Sequence, residues 1–294
     1  MLSNRRFVPV FFPAVLAVTA SLPLQSQDVA PTFLHRRIDA VQPRPLDVTT
    51  ANCRYKPLFG LGDAQADAVR GIARFGEIIV DPGGASAKVL YPAEEQIYFV
   101  LEGSGTLHYD STKQSIRADD FMYLPPGIEH GVSNPGDKPL RVLVMGYNIP
   151  PGTKLQIPSQ LLIANTSDVK KQVVGNHPGS TLYQLLVGDT NSKRDVIAAG
   201  HVVTSLFIMT ITPGGTNTPH THPSDEEIYL ILEGKGEMVA GGGMDGIEGR
   251  HPVAPGDAYF VRPFTTVGYY ADKSPAGLSR VLAVRSRYPH TAGR

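Results

Sequence analysis

An internal duplication constrains the fold of this chain more than any other feature of its sequence. Residues 82–105 and residues 213–236, which lie 131 positions apart, are identical at eleven of twenty-four positions. The similarity extends upstream and downstream, from residues 55–60 to 183–188 and from residues 119–126 to 256–263. A repeat of this length predicts that each half of the 294-residue chain forms one unit of the same fold.

Each half has the pattern of short strands joined by tight turns. β-branched and aromatic runs such as residues 206–212 and 227–232 are bounded by Pro-Gly-Gly and Glu-Gly turns, and the chain contains 30 glycines and 25 prolines. Gly103 and Gly234 are predicted to occupy turn positions with positive φ. Near-continuous apolar strands indicate burial on both faces, as in packed sheets. We therefore predict an all-β fold, a sandwich or barrel in each half.

The charge balance and the single cysteine exclude several classes of protein. Lysine plus arginine total 27, and aspartate plus glutamate total 27, so the chain has no basic excess to bind nucleic acid or an anionic membrane. Cys53 is the only cysteine and therefore cannot form an intrachain disulfide.

The first residues have the pattern of a secretory signal peptide. Arg5 and Arg6 precede an apolar run over residues 7–20, which ends in a possible Val-Thr-Ala cleavage site. The run is shorter than the ~20 residues that a spanning helix needs. We predict that residues 1–26 are a signal peptide and that the mature protein is periplasmic or secreted, with no membrane association after cleavage.

A polar cluster in the second half has the spacing of a metal site. His220 and His222 are two residues apart, so on a strand both imidazoles face the same side. Glu227 can return toward them on a neighbouring strand after the Pro-Ser-Asp interruption, whereas Glu226 is expected to point away. Two imidazoles and one carboxylate suit a divalent transition ion such as manganese, iron, nickel or zinc.

The first half has lost this cluster. The duplication aligns Val89, Tyr91 and Gln96 with His220, His222 and Glu227. His130 alone cannot hold an ion, and we predict that it is a hydrogen-bonded residue lining the first domain. The remaining histidines His177, His201 and His290 are isolated in the sequence and are predicted to be surface or turn residues.

Two motifs resemble those of the cupin superfamily. The pattern Gly214-x5-His220-x-His222-x4-Glu227-x6-Gly234 resembles the first cupin motif, and residues 125–134 resemble the second, including His130. The resemblance implies a bicupin with two tandem cupin barrels (double-stranded β-helices, or jelly rolls). We place them at residues 27–160, without metal ligands, and at residues 161–294, with a metal. Cupin barrels commonly associate, so a homodimer is possible.

The second motif of the C-terminal half departs from the family pattern. Val267 stands where the resemblance implies a histidine as fourth ligand. Either three protein ligands leave open coordination positions, as in non-haem Fe(II) oxygenases, or the side chain of Tyr259, Tyr269 or His251 completes the set.

The resemblance implies two classes of function. One is a metal-dependent oxidoreductase, similar to bicupin dioxygenases that act on phenolic or flavonol-type substrates, with isomerase or decarboxylase chemistry as alternatives. Oxalate-type decarboxylases carry full ligand sets in both barrels and are less similar. The other class is a non-catalytic bicupin that binds a sugar or a small acid. The intact cluster favours an enzyme with a small-molecule substrate.

Overall fold

The computed structural model describes residues 31–241 and 248–289. Within these ranges the chain consists of β-strands joined by turns, with single 3-10 turns at Ala66–Ala68 and Thr166–Asp168, so the all-β prediction is confirmed. The same ranges hold no helix that is long and apolar enough to cross a membrane. The predicted signal peptide and His290 lie outside the described residues, and the periplasmic or secreted location stays a prediction.

The described residues form twenty strands, which are numbered in chain order. They are β1 (Phe33–Arg37), β2 (Cys53–Gly60), β3 (Ile72–Val80), β4 (Glu94–Glu102), β5 (Ser104–Tyr109), β6 (Thr112–Arg117), β7 (Asp120–Leu124), β8 (His130–Ser133), β9 (Leu140–Asn148), β10 (Leu162–Asn165), β11 (Thr181–Asp189), β12 (Ile197–Gly200), β13 (Val203–Ile211), β14 (Thr216–His220), β15 (Asp225–Glu233), β16 (Gly236–Gly241), β17 (Glu248–Val253), β18 (Asp257–Val261), β19 (Thr266–Ala271) and β20 (Ser279–Arg287).

Two sheets form each barrel. In the first half, a six-stranded sheet of order β10-β7-β4-β9-β3-β2 packs with a three-stranded sheet of order β6-β5-β8. In the second half, a seven-stranded sheet of order β1-β18-β15-β20-β13-β11-β12 packs with a four-stranded sheet of order β14-β19-β16-β17. The shared strand order is the structural counterpart of the sequence duplication, and it confirms two tandem jelly-roll barrels.

One strand from each half of the chain pairs with the large sheet of the other half. β1 precedes the first barrel but pairs antiparallel with β18 of the second barrel. β10 lies just beyond residue 160 but pairs antiparallel with β7 of the first barrel. Because β7 and β18 correspond to each other in the duplication, the exchange is symmetric, and backbone hydrogen bonds cross between the two halves in both directions.

The large sheets are apolar on both faces because the barrels pack against each other. On β9, Val142 and Val144 belong to the core inside the first barrel, whereas Leu143 and Met145 belong to a core shared by both barrels. On β20, alternate residues likewise divide between the shared core and the core inside the second barrel. This alternation confirms the burial on both faces that was predicted from the near-continuous apolar runs.

Two buried glutamates fasten the barrels to each other. Glu95 on β4 accepts hydrogen bonds from the backbone N–H groups of residues 201–203 and from the Tyr123 hydroxyl. Its counterpart Glu226 on β15 accepts from the backbone N–H groups of Arg70 and Gly71. Each carboxylate thus accepts hydrogen bonds from backbone N–H groups of the other barrel, and these donors stabilise its buried charge.

His201 lies in the short turn between β12 and β13, in agreement with the turn alternative of the prediction, but its side chain is not at the surface. Its side chain is 3% exposed, and its Nδ1 lies 3.3 Å from Glu95 Oε2 and 3.0 Å from the Tyr123 hydroxyl. The sequence predicts the turn but gives no sign that this turn meets the opposite barrel.

The predicted turn glycines have positive φ, which is 84° for both Gly103 and Gly234. A Cβ at residue 234 would lie 2.4 Å from the Leu278 carbonyl oxygen. We expect Gly234→Ala to lower the free energy of unfolding by about 2 kcal/mol or more, because the left-handed backbone alone costs about 1–2 kcal/mol with a side chain. Gly179→Ala is the matched control, since a Cβ there meets open space and its φ is not positive. Equal urea midpoints for the two variants would contradict the turn assignment.

Candidate metal centre

The three donors predicted from the sequence meet at one end of the C-terminal barrel. His220 ends β14, His222 follows in the connecting turn, and Glu227 lies near the start of β15. One ligand atom of each side chain lies within 4.8 Å of the other two. Glu226 points to the opposite face of β15, toward Arg70 and Gly71, as its position in the strand predicts.

The donor atoms have the separations of neighbouring ligands of one ion. His220 Nε2 lies 3.0 Å from His222 Nε2, and His222 Nε2 lies 3.4 Å from Glu227 Oε2. Two ligands at right angles with bonds of about 2.1 Å would be about 3.0 Å apart. His220 Nδ1 donates a hydrogen bond to the Thr218 carbonyl oxygen at 2.8 Å, which directs Nε2 toward the other donors.

Glu227 is a buried carboxylate that lacks hydrogen-bond donors. Its side chain is 1% exposed, and neither oxygen has a hydrogen-bond partner among the described residues. Burial raises the pKa of Glu227 to about 8, and the Arg285 guanidinium, with Nε 3.8 Å from Oε1, offsets only part of that effect. An isolated carboxylate in such a place is costly, whereas a bound cation would satisfy it. The residues therefore fit a metal ion.

The imidazoles are suited to the same role. Burial lowers the pKa of His220, and burial together with the Arg285 charge lowers the pKa of His222 to about 3. Both rings are therefore neutral at neutral pH, which is the form that binds a metal ion.

The donors open onto a cavity of about 220 Å³. Its walls combine apolar side chains such as Leu185 and Phe207 with polar groups that face the donors. On one wall, the Tyr183 hydroxyl donates to Asn217 Oδ1 at 2.9 Å, and Asn217 Nδ2 donates to the Tyr229 hydroxyl at 2.6 Å. In this series of hydrogen bonds the Tyr229 hydroxyl is an acceptor, so its own hydrogen can be donated to another group.

Sequence reasoning missed two residues of this cavity. His177, predicted as a surface or turn residue, lies in the segment before β11, and its ring centroid is 5.2 Å from that of His220. Arg285 on β20 places Nη1 3.4 Å from His222 Nδ1. No motif marks either position, but an alignment of β20 with β9 would have shown that Arg285 corresponds to Gly146.

The three alternative fourth ligands lie elsewhere. Tyr259 stacks on the His35 ring at 4.4 Å, the Tyr269 hydroxyl donates to Ser279 Oγ at 2.8 Å, and the His251 ring packs against Phe33 at 5.3 Å. None of the three lines the cavity. The proposal that one of them completes the ligand set is therefore wrong for the described structure.

Val267 and His130 show how the ligand set divides between the barrels. Val267, which is buried, lies opposite His220 in the β14–β19 pair. In the first barrel the two residue types are exchanged, because Val89, the counterpart of His220, lies opposite His130, the counterpart of Val267. Each barrel thus keeps histidine on one side of this pair and valine on the other.

The first barrel fills the corresponding place with hydrogen bonds between side chains. His130 is buried, its Nδ1 donates to the Ile128 carbonyl oxygen at 2.9 Å, and its Nε2 lies 3.0 Å from Gln96 Oε1. Gln96 Nε2 in turn donates to Glu94 Oε1 at 2.6 Å. His130 is thus the hydrogen-bonded residue that the sequence predicts.

The raised pKa of Glu227 gives the metal-free protein a characteristic pH dependence. Because the pKa rises from 4.5 to about 8 on folding, the contribution of Glu227 to stability is fully present below about pH 4.5 and is lost as the pH rises through about 8. Glu227→Gln removes this ionisation. In the presence of a chelator, we expect this variant to melt close to wild type near pH 5 but about 10 °C higher at pH 8.5.

Calorimetry of both proteins across that range checks the difference. Glu237→Gln is the control, because the Glu237 side chain is 48% exposed. Parallel pH profiles for wild type and Glu227→Gln would show that folding does not raise the pKa of this carboxyl group.

A family comparison matches both barrels. The model of the cupin domain family matches residues 76–146 and residues 207–275. An uncharacterized protein of Methanocaldococcus jannaschii is 35% identical over 71 residues, which is 24% of this chain and 57% of that protein. The match thus spans little more than half of the relative.

Solved structures share the two-barrel arrangement. A putative glyoxylate-induced protein from Pseudomonas aeruginosa has a TM-score of 0.69 at 19% identity, over 90% of this chain and 92% of that one. An oxalate decarboxylase from Lactobacillus farciminis, solved as a formate complex, has a TM-score of 0.62 at 12% identity, over 85% of each chain. At these identities the similarity establishes the fold alone.

Proposed function

Because this chain belongs to the cupin superfamily and is a bicupin with one barrel in each half, we propose that it is a metal-dependent enzyme. Its centre lies in the C-terminal barrel, where His220, His222 and Glu227 hold a divalent transition ion. The observation that carries this proposal is the Glu227 carboxylate, which is buried beside two neutral imidazoles and has no hydrogen-bond donor in the described part of the chain. Manganese, iron, nickel and zinc all suit this donor set.

We propose that the reaction is an oxidation of the dioxygenase type on a small oxygenated substrate. When bound, an ion with three protein ligands supplies Lewis acidity and open coordination positions. Val267, which stands where the family pattern has a fourth ligand, provides no donor atom, so three protein side chains would hold the ion. The cavity volume of about 220 Å³ is below the ~300–1,000 Å³ typical of drug-sized ligands, which favours small molecules over flavonols.

Residues of the chain would bind and orient the substrate. The Tyr229 hydroxyl, held by Asn217, can donate a hydrogen bond to a substrate oxygen. Phe207 and Leu185 line the cavity and exclude water from one side of it. His177 covers the His220 ring, and as a neutral imidazole it offers one donor and one acceptor.

Oxygen consumption by metal-loaded protein tests the proposed reaction. Wild-type protein loaded separately with each of the four ions is incubated with catechols, small hydroxy acids and small keto acids, and oxygen uptake and products are measured. Substrate-dependent uptake that is lost in the His220→Ala/His222→Ala variant supports the dioxygenase assignment. Substrate conversion without oxygen uptake would replace it with decarboxylation or isomerisation, and binding without conversion would indicate a binding protein.

A further inference from the structure

An arginine lies beside the place of the metal centre in each barrel, and in the first barrel this arginine is paired with two carboxylates. Arg74 on β3 lies opposite Gly146 on β9. The guanidinium donates to Glu94 Oε1 at 2.9 Å and to Asp47 Oδ1 at 2.8 Å, and it lies 4.2 Å from the centre of the Tyr91 ring. Two carboxylates therefore balance one buried guanidinium within the first barrel.

In the second barrel the arginine lies on β20, the counterpart of β9, and not on β13, the counterpart of β3. Ser205 on β13 lies opposite Arg285 on β20, the reverse of the arrangement in the first barrel. Asp225, the counterpart of Glu94, accepts a hydrogen bond from the Thr204 hydroxyl at 3.4 Å and makes no ion pair with Arg285 in the described structure. The ion pair of Arg285 is instead with Glu227, whose oxygen is 3.8 Å away.

The second balancing carboxylate of the first barrel also lacks a counterpart. Asp47 comes from the segment before β2, and the corresponding segment before β11 brings His177 to the cavity instead. A histidine therefore stands where the first barrel has a carboxylate. Among the described residues that line the cavity, Glu227 is the single acidic side chain.

The cavity of the metal-loaded protein would therefore have an excess of positive charge. One carboxylate faces a divalent ion and the Arg285 guanidinium, whereas Arg194, which also lines the cavity, has its own ion pair with Asp195 at 3.5 Å. Arg285 lines the cavity, and its buried Nε has no hydrogen-bond partner among the described residues. A partly buried net positive charge is costly unless an anion balances it.

We propose that the cavity takes a small organic carboxylate and that Arg285 binds its carboxylate group beside the metal. This inference rests on the proposed function, since the ion supplies part of the positive charge. Guanidinium binds carboxylate with two parallel hydrogen bonds, which would fix the orientation of the anion in the cavity. The ligand anion thus occupies the place that Glu94 and Asp47 hold beside Arg74 in the first barrel.

Calorimetric titration of the metal-loaded protein tests the anion site. The probes are acetate, lactate and malonate, each compared with its neutral amide, namely acetamide, lactamide and malonamide. We expect at least one acid to bind about tenfold or more tightly than its amide, and Arg285→Gln to lose that preference while keeping its metal. Arg287→Gln is the matched control, because it removes the same charge two residues along β20 from a side chain that is 58% exposed.

The outcomes separate this inference from the proposed function. Wild-type protein without bound metal would refute the proposed function itself. Metal-loaded protein that binds each acid no more tightly than its amide, or Arg285→Gln that binds the acids as wild type does, would overturn the anion site alone. Loss of metal from Arg285→Gln would also overturn it, because Arg285 would then act by holding the metal ligands.

Discussion

Protein purified from cells supplied with manganese, iron, nickel and zinc should contain close to one equivalent of a divalent transition ion per chain. The His220→Ala/His222→Ala variant should contain less than about a tenth of an equivalent, because removing two of three donors leaves one carboxylate that cannot hold the ion against water. Elemental analysis of both proteins after gel filtration measures the difference.

The matched control for this prediction is His130→Ala. His130 lies at the corresponding place in the first barrel but contacts Gln96 and the Ile128 carbonyl group. Its metal content should equal that of wild type. A wild-type protein without metal, or a His130→Ala variant that loses it, would refute the assignment of the ion to the C-terminal barrel.

Replacing Glu95 with alanine should destabilise the whole protein by about 3–5 kcal/mol. Glu95 is buried, and its removal leaves the N–H groups of residues 201–203 without their acceptor at the contact between the barrels. Each buried group that loses its partner costs about 1–3 kcal/mol. Urea unfolding followed by circular dichroism measures the change, and Glu226→Ala should show a smaller loss because two N–H groups depend on it.

Glu129→Ala is the control for the interface glutamates. Its side chain is 49% exposed and forms one ion pair with Lys88, so its removal should change stability by less than about 1 kcal/mol. A Glu95→Ala variant as stable as Glu129→Ala would show that the two barrels do not depend on this contact.

The sequence predicted the architecture because the duplication repeats strand patterns whose apolar periodicity reflects burial. The positive φ of Gly103 and Gly234 and the convergence of His220, His222 and Glu227 followed from local spacing, whereas the two barrels followed from the duplication and the family resemblance. Glu226 pointing away from this cluster followed in the same way from strand alternation.

Features that depend on contacts between distant segments could not be predicted in this way. The strands β1 and β10 have five and four residues, and their sequences do not indicate which sheet each of them joins. The positions of His177 and His201 depend on where a turn meets another part of the protein. Arg74 lies on β3 and faces β9, whereas Arg285 lies on β20 and faces β13. This exchange depends on how two strands pair, which the sequence of one strand alone does not show.

Each barrel has donor side chains at only some of the four ligand positions that the family resemblance implies. The C-terminal barrel keeps three donors and has Val267 at the fourth position, whereas the N-terminal barrel keeps His130 and has lost the other three. In the N-terminal barrel, the Arg74 guanidinium and its carboxylate partners provide the polar contacts instead. Ion pairs thus stand in the N-terminal barrel where the C-terminal barrel has the three donors of the proposed metal centre.

Anomalous diffraction from crystals of the metal-loaded protein, recorded at the absorption edge of the bound ion, tests the central claim most directly. We predict one peak per chain, about 2.0–2.2 Å from His220 Nε2, His222 Nε2 and a Glu227 oxygen, and no peak beside His130. A peak in the N-terminal barrel, or a fully loaded crystal without a peak between these three side chains, would contradict it.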